Sequence, residues 1–319
     1  MKLALASCAK LQSTNPQPVW AEIQTARPDA RLLLGDTVYL NHDRHDDPAA
    51  LGAELRALYA AQLAKPNFAH LLNDLRARGA QVLAIYDDHE FLGNNRYAGD
   101  HSAALRESAC VEFIRAFAPP QTGQNVYHLR RVASGLPTSW CSTSAFTARR
   151  HRFRHPTATP CWAARNGTGW SRWLPRRMQA TSWSLRARRR TLSEHPQSRA
   201  APSPPPVGDQ GKWQSHTSLS DERWEQYPTA FKRITDLLRG RKCSLVLSGD
   251  VQRNAVYDDS GVIEIVSSGV ARNGIVFGSP RRNYGLLTFD EEQVHVELRS
   301  LNVGGRFDFL ILRNHWVLP

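Results

Sequence analysis

No run of 18 consecutive apolar residues occurs in this chain, which excludes a membrane-spanning helix. No repeat of fixed period is present, which excludes solenoids and propellers. Cysteine is sparse. Cys8, Cys110 and Cys243 are an odd number with no finger-type spacing, and Cys141 and Cys161 fall in an aberrant stretch treated below, so no disulfide framework is expected. The apolar start (Leu3 to Ala6) ends after four residues, too few for a secretory signal, and a cytoplasmic protein is expected. What remains is ordinary for a globular protein. Of 319 residues, 41% are hydrophobic and 22% charged, values that exclude collagen, coiled coil and wholesale disorder.

The most informative absence is local. Residues 138–190 contain no Asp, no Glu and no Lys, but 12 Arg. The chain has 41 basic and 29 acidic residues, so the rest of it balances at 29 against 29. The whole net charge of +12 therefore sits in 53 residues. The same stretch holds Trp140, Trp162, Trp170, Trp173 and Trp183, five of the nine tryptophans, and shows neither a helical nor a strand period. A natural basic domain mixes Lys with Arg and carries acids. This block reads instead as a GC-rich gene translated out of frame, entered near Pro137 and left near Thr191.

The genetic code checks that reading. With each codon begun at its third base, Trp140-Cys141 must give Val, and the codons of Cys141 to Ala148 permit Leu-Asp-Val-Arg-Val-Tyr-Arg to follow. Downstream, Cys161 to Ala163 must give Leu-Gly, and Thr168 to Ser171 permit Trp-Leu-Glu. An apolar strand ending in Asp and a helix start replace a patternless block. The competing reading is a genuine Arg-rich insertion that binds nucleic acid or an anionic surface. On either reading, 138–206 is an atypical Arg/Trp/Pro-rich segment, expected to be irregular, within a single domain spanning 1–319.

The remainder has the punctuation of an α/β protein. Strands are expected at Leu3–Ala6, 31–34, 81–86 and Cys243–Leu247, with helices at 19–26, Pro48–Leu63, 67–78, 101–117 and 229–239. The tail (262–267, 285–289, 293–298, 307–312) alternates like antiparallel strands. Four of the strands stop at residues that bind metals: Cys8, Asp36, Asp87-Asp88-His89 and Asp250. In an open α/β sheet the site lies beyond the carboxyl ends of the strands, so these residues should converge. Taken singly, a strand-terminal Asp is a turn or a helix cap, and Cys8 is a buried apolar residue. Four together point to a shared site. With Tyr39 three residues after Asp36, the set is oxygen-rich, suited to calcium, magnesium, manganese or ferric iron. Paired metals clamp a phosphate and supply hydroxide at neutral pH.

Gly35-Asp36-Thr37-Val38-Tyr39, Tyr86-Asp87-Asp88-His89-Glu90 and Leu247-Ser248-Gly249-Asp250-Val251 resemble motifs of the PhoD-like alkaline phosphatases, a branch of the metallophosphoesterases. Ser7-Cys8, Trp224-Glu225-Gln226-Tyr227-Pro228 and Val266-Ser267-Ser268-Gly269 resemble further segments of that family. The likeness covers about 1–135 and 191–300, and the strings recovered from the shifted frame resemble family segments at the expected place. Asp-Asp-His-Glu is the most specific string.

The resemblance implies a four-layer α/β/β/α sandwich with an irregular middle segment, and a metal-dependent phosphoric ester hydrolase acting on monoesters or diesters through metal-activated hydroxide. It implies Ca2+ with Fe3+, or Mn2+/Mg2+, as cofactors. Cys8, Asp36 and Tyr39 would hold the iron-like site; Asp88 and Asp250 would be further ligands. His89 would protonate the leaving group, oriented by Asp87; apart from the motif, a strand-terminal His is equally a structural group. Arg253 would fork onto a phosphate oxygen or lie in solvent, and Asn94 and Asn95 would be turn formers first and substrate contacts second. One position departs from the family: Gly249-Asp250-Val251-Gln252 has Gln252 where the family has His, a neutral oxygen donor and a poorer ligand for softer cations. Expected partners are a phosphate ester, with nucleic acid only as a possible substrate, and neither a membrane nor an obligate protein. The alternatives are an inactive, frameshifted phosphatase-like protein and a nucleic-acid binder working through the Arg-rich segment.

Overall fold

A computed structural model describes residues 1–10, 16–41, 45–94 and 101–117 continuously. Beyond these it describes 129–131, 139–141, 183–186, 232, 236, 238, 245–250, 252–259, 262–271, 275–276, 279–280, 282–290, 293–301 and 305–313.

The amino-terminal half alternates strand and helix. Strand β1 (Lys2–Ala6) is followed by α1 (Val19–Thr25), β2 (Ala30–Leu34), α2 (Pro48–Leu63), α3 (Pro66–Ala77) and β3 (Gln81–Ile85). A short helix α4 (Asp88–Phe91) and a longer α5 (Ala103–Phe117) complete it. Helix α2 starts where Asp47 accepts hydrogen bonds from the N–H groups of Ala49 and Ala50, with Pro48 in the first turn, where its missing donor costs nothing. In α3, Phe68, Leu71, Leu72 and Leu75 recur at the spacing of one helical face, and all four are buried.

Strands β1, β2 and β3 pair in parallel, as right-handed crossovers through helices require. The carboxyl-terminal strands β12 (Asn283–Phe289), β13 (Gln293–Ser300) and β14 (Gly305–Arg313) extend the same sheet by antiparallel pairing, β12 lying against β1. With β6 (Trp183–Arg186) at its far edge, this sheet has seven strands in the order β3-β2-β1-β12-β13-β14-β6. A second sheet holds β7 (Leu245–Ser248), β9 (Val262–Ser267) and β8 (Asn254–Asp259) in that order. Two small hairpins, β4 (Leu129–Arg131) with β5 (Ser139–Cys141) and β10 (Ile275–Val276) with β11 (Ser279–Pro280), stand apart.

The strand period of two splits the core. Leu3, Leu5, Leu32, Leu34 and Leu83 point from the first sheet onto Val256, Ile263 and Ile265 of the second. Ala4, Ala6 and Leu33 point the other way, beneath Trp20, Ile23, Phe68 and Leu71 of the helices. Small alanines on that side let the helices approach the sheet. Helices, first sheet and second sheet thus form three layers of a mixed α/β fold. Of the expected helix at 229–239 only 232, 236 and 238 are described, all helical, and a fourth layer is not among the described ones.

Two expectations need correction. The strand at Val262–Ser267 pairs antiparallel with β8 but parallel with β7, and β8 itself was not foreseen. The third strand ends at Ile85, one residue short of the expected 81–86, and helix α4, not foreseen, starts where the Asp87 carboxylate accepts the Asp88 N–H. Within 138–206, Ser139–Cys141 and Trp183–Arg186 are strands, and the rest of that stretch lies outside the described residues. Among the described residues no helix is long and apolar enough to cross a membrane.

Candidate metal centre

The site forms at the carboxyl ends of β1, β2, β3 and β7, where four chain reversals meet. Cys8, Asp36 and Asp250 follow their strands with φ of 56°, 54° and 64°, in the left-handed region that costs a non-glycine residue about 1–3 kcal/mol. Gln252 has φ 57°. Such strain in three expected ligands is a mark of side chains aimed by the surrounding fold rather than by local preference.

Two close approaches bring the rims together. A Cβ at Gly249 would lie 2.6 Å from both the Leu34 carbonyl oxygen and Ser7 Oγ, so the end of β7 is pressed onto the ends of β1 and β2. A Cβ at Gly35, whose φ is 83°, would lie 2.6 Å from Asp87 Cβ. Backbone bonds continue past the strands: Ala9 N–H donates to the Asp36 carbonyl at 2.8 Å, and Gly269 and Val270 N–H both donate to the Ser7 carbonyl, at 3.2 and 3.1 Å. The second sheet is thereby tied to the first beside Cys8.

The side chains then fall into one cluster. Tyr39 donates its hydroxyl to Asp36 Oδ2 at 2.8 Å, and the Cys8 thiol lies 3.5 Å from the same oxygen. Cys8 Sγ also lies 3.3 Å from the Asp250 carbonyl oxygen and 3.1 Å from Ser268 Oγ. The His89 ring stacks on Tyr39 with centroids 4.1 Å apart. Asp36, Asp88 and His89 each offer one ligand atom within 4.8 Å of the others.

Electrostatics place the cluster far from its resting state in water. Burial, and then the neighbouring Asp88, Asp250 and Glu90, raise the Asp36 carboxyl well above its usual range. Burial and the charges of Asp36 and Asp250 raise the Cys8 thiol likewise, against the lowering effect of Ser268 and Tyr39. Tyr39 and Glu90 are raised mainly by burial. Asp36 Oδ1 is buried and accepts no hydrogen bond. An orphaned carboxylate oxygen among like charges is costly for a protein alone, and a hard cation is the group that satisfies it. Residues and metal therefore fit.

Neither protein-family models nor curated protein sequences give a match to this chain. Among solved structures, a dimetal phosphatase from Danio rerio is similar at 10% identity, over 97% of this chain and 98% of that one, with a TM-score of 0.42. A conserved protein from Streptococcus pneumoniae, described as a predicted phosphoesterase, is similar at 7% identity, over 97% of both chains, with a TM-score of 0.33. At that depth neither likeness decides fold or chemistry.

The expected residues are not all placed alike. Cys8, Asp36, Tyr39, Asp88 and His89 share the cluster, and Asp250 joins it through its carbonyl and its charge. Asp87 caps α4 through Asp88 N–H. Gln252 donates its backbone N–H to Ser268 Oγ at 2.8 Å, which sets it one hydroxyl away from Cys8. Arg253 is half-buried just before β8, and Asn94 is exposed in the turn after α4. Asn95 lies outside the described residues. Sequence reasoning missed three residues. Glu90 is buried and accepts the Thr37 N–H on both carboxylate oxygens, at 3.3 and 3.1 Å, locking the Asp36 turn to α4. Ser268 joins Cys8 to the Gln252 backbone, and Lys10 lies over Tyr39. Glu90 and Ser268 sit inside quoted motifs, so a signal existed; Lys10 had none.

Proposed function

We propose that the protein is a metal-dependent phosphoric ester hydrolase of the PhoD-like kind, with a four-layer sandwich as its full architecture. The observation that supports this is the triplet Asp36, Asp88 and His89, ligand atoms within 4.8 Å of one another, with Cys8 and Tyr39 both on the second Asp36 oxygen. Cys8, Asp36 and Tyr39 would hold a trivalent or divalent ion. Asp36 through its free Oδ1, Asp88 and Asp250, with Gln252 beside it, would hold a second. Bound ions of this class neutralise phosphate charge and activate water at neutral pH.

The chain's own groups do the rest. His89, packed against the Tyr39 ring at 4.1 Å with a tilt of 34°, supplies the proton to the leaving alkoxide. Asp87 starts the turn of helix that presents it. Glu90 fixes the Asp36 turn against that helix, so ligand and acid keep one geometry. Arg253 supplies a cation for a phosphate oxygen. The Asp ligands favour Mn2+, Mg2+ or Ca2+, and the thiol with the phenol favours Fe3+.

The deciding experiment is hydrolysis of 4-nitrophenyl phosphate and bis(4-nitrophenyl) phosphate by the purified chain, after metal stripping and after adding Mn2+, Ca2+ or Ca2+ with Fe3+. Metal-restored turnover that is lost in Asp36→Asn supports the reading. Turnover that is indifferent to metals, or to Asp36→Asn, refutes it.

A further inference from the structure

We propose that Lys10 is a substrate-binding residue that takes a non-bridging phosphate oxygen and so favours dianionic phosphomonoesters over monoanionic diesters. This rests on the metallophosphatase reading above and goes beyond it by naming the substrate charge.

Lys10 Nζ lies 5.5 Å from the centroid of the Tyr39 ring. That ring is at the heart of the cluster: its hydroxyl is bonded to Asp36 Oδ2 and its plane stacks on His89. The ammonium therefore lies against the ring whose hydroxyl is bonded to Asp36. Lys10 is half-buried, and among the described residues it has no ion-pair partner. Its backbone is left-handed, φ 38°, two residues after Cys8 at 56°. The chain thus turns twice in conformations that disfavour side chains, and the second turn carries a long cation to the rim.

The surroundings give this cation a task. The rim is lined by the carboxyl groups of Asp36, Asp87, Asp88 and Glu90, and Lys10 sets a cation against the same Tyr39 ring. A phosphomonoester is largely dianionic above its second pKa of about 6, whereas a diester keeps a single charge. A flexible point-charge donor at the rim adds attraction that grows with substrate charge. A rival role is to neutralise the carboxylates themselves. The two roles differ in sign for metal binding: a charge neutraliser competes with the ions, while a phosphate ligand acts only once phosphate arrives.

The test uses the full chain loaded with Mn2+, with inorganic phosphate as probe, and compares wild type, Lys10→Met and Lys10→Arg by titration calorimetry. Loss of a charged hydrogen bond corresponds to about tenfold to a hundredfold in affinity. Lys10→Met should weaken phosphate by at least tenfold while holding Mn2+ as tightly as wild type or tighter, and Lys10→Arg should stay within about threefold. The ratio of kcat/KM for 4-nitrophenyl phosphate over its bis ester should fall by a similar factor in Lys10→Met. Phosphate affinity unchanged in a Lys10→Met protein that binds Mn2+ overturns the proposal while leaving the metal centre standing. A wild-type chain that takes up no Mn2+, Ca2+ or Fe3+ overturns both. Circular dichroism of each variant confirms folding, and Lys10→Arg, which keeps length and charge, serves should Lys10→Met fail to fold: an arginine variant with wild-type phosphate binding supports the proposal, and one that loses phosphate and metal together refutes it.

Discussion

At the scale of single residues, the site is a set of side chains held where they would not choose to be. Asp36 combines a left-handed backbone, full burial and an unpaired oxygen, each unfavourable alone. Asp36→Asn removes a buried carboxylate as well as a proposed ligand, so its effects should have opposite signs with and without metal. Stripped of metal, the variant should melt at a temperature equal to or above wild type; with Mn2+ present, wild type should gain stability and the variant should not. Differential scanning fluorimetry at both conditions reads this directly, and an equal metal-induced gain in the variant would exclude Asp36 as a ligand. His89→Ala should cut turnover by about 10² to 10⁴. How much of this was legible beforehand depends on what each residue needs to be seen. Cys8, Asp36 and the Asp87-Asp88-His89 string follow three apolar strands whose parallel pairing gives them a shared rim, and Asp250 follows a strand of the second sheet. Lys10, Ser268 and the clamp made by Glu90 depend on positive-φ turns and on a Ser268–Cys8 contact spanning 260 residues of sequence, which no local period encodes.

Secondary-structure elements carry a different kind of information. Strands β1, β2 and β3 were visible as short apolar runs, whereas helix α4 was hidden because its only start signal, Asp87, looks like one more acid in an acidic string. Gly249 shows how elements set the site. Its missing Cβ lets β7 approach Leu34 and Ser7, so Gly249→Ala should push Asp250 from the cluster and abolish activity while most of the fold remains. Unchanged turnover in that variant would mean Asp250 is dispensable. Arg31 poses a separate problem under the helices. It is fully buried on β2 against the rings of Trp20 and Phe68, at 4.3 and 4.5 Å, and its guanidinium N–H groups donate no hydrogen bond. Burial pushes the group down to about 9. Two cation–π contacts contribute about 1–2 kcal/mol each, less than the several kcal/mol of losing water from an unpaired cation. Arg31→Met should therefore stabilise the fold, by about 1–3 kcal/mol in urea denaturation; a loss of stability would show that the aromatic contacts outweigh desolvation. The contact of α2 with α5 depends on pH. Arg56 and Arg115 on the Glu112 carboxylate hold it below its usual range. The folded state thus binds this proton more weakly than the unfolded one. The stabilisation is present above the unfolded value of about 4.3 and is lost as pH falls through the folded one. Glu112→Gln should lower the melting temperature at pH 7 and have little effect near pH 3.

For the whole molecule, the question is how a chain with an intact rim carries 53 residues of all-arginine, acid-free sequence. The described parts of that stretch are two short strands, one of which, β6, completes the edge of the large sheet beside β14. Among the described residues the cluster at the strand ends takes no member from it: Cys8, Asp36, Asp88, His89 and Asp250 all come from outside 138–190. A frame change there would spare these proposed ligands and reduce what surrounds them. The shifted frame encodes an apolar strand and a helix start, and a dozen large side chains buried by such elements contribute tens of kcal/mol gross, at about 1.5–3 kcal/mol each. Net stabilities are only about 5–15 kcal/mol, so losing even part of that burial decides between a robust fold and a marginal one. Restoring the frame by one deletion and one compensating insertion should thus raise the melting temperature by more than about 10 °C and raise metal-dependent turnover with it. The same repair separates this account from a functional basic arm. An arm that binds nucleic acid gives strongly salt-dependent affinity that deletion of 138–190 abolishes, whereas an out-of-frame segment gives a repaired protein that is more stable, more active and no worse at any native task. Resequencing the gene and melting the two versions side by side decides the matter; equal melting temperatures and equal turnover would leave the arginine-rich stretch as part of the native design.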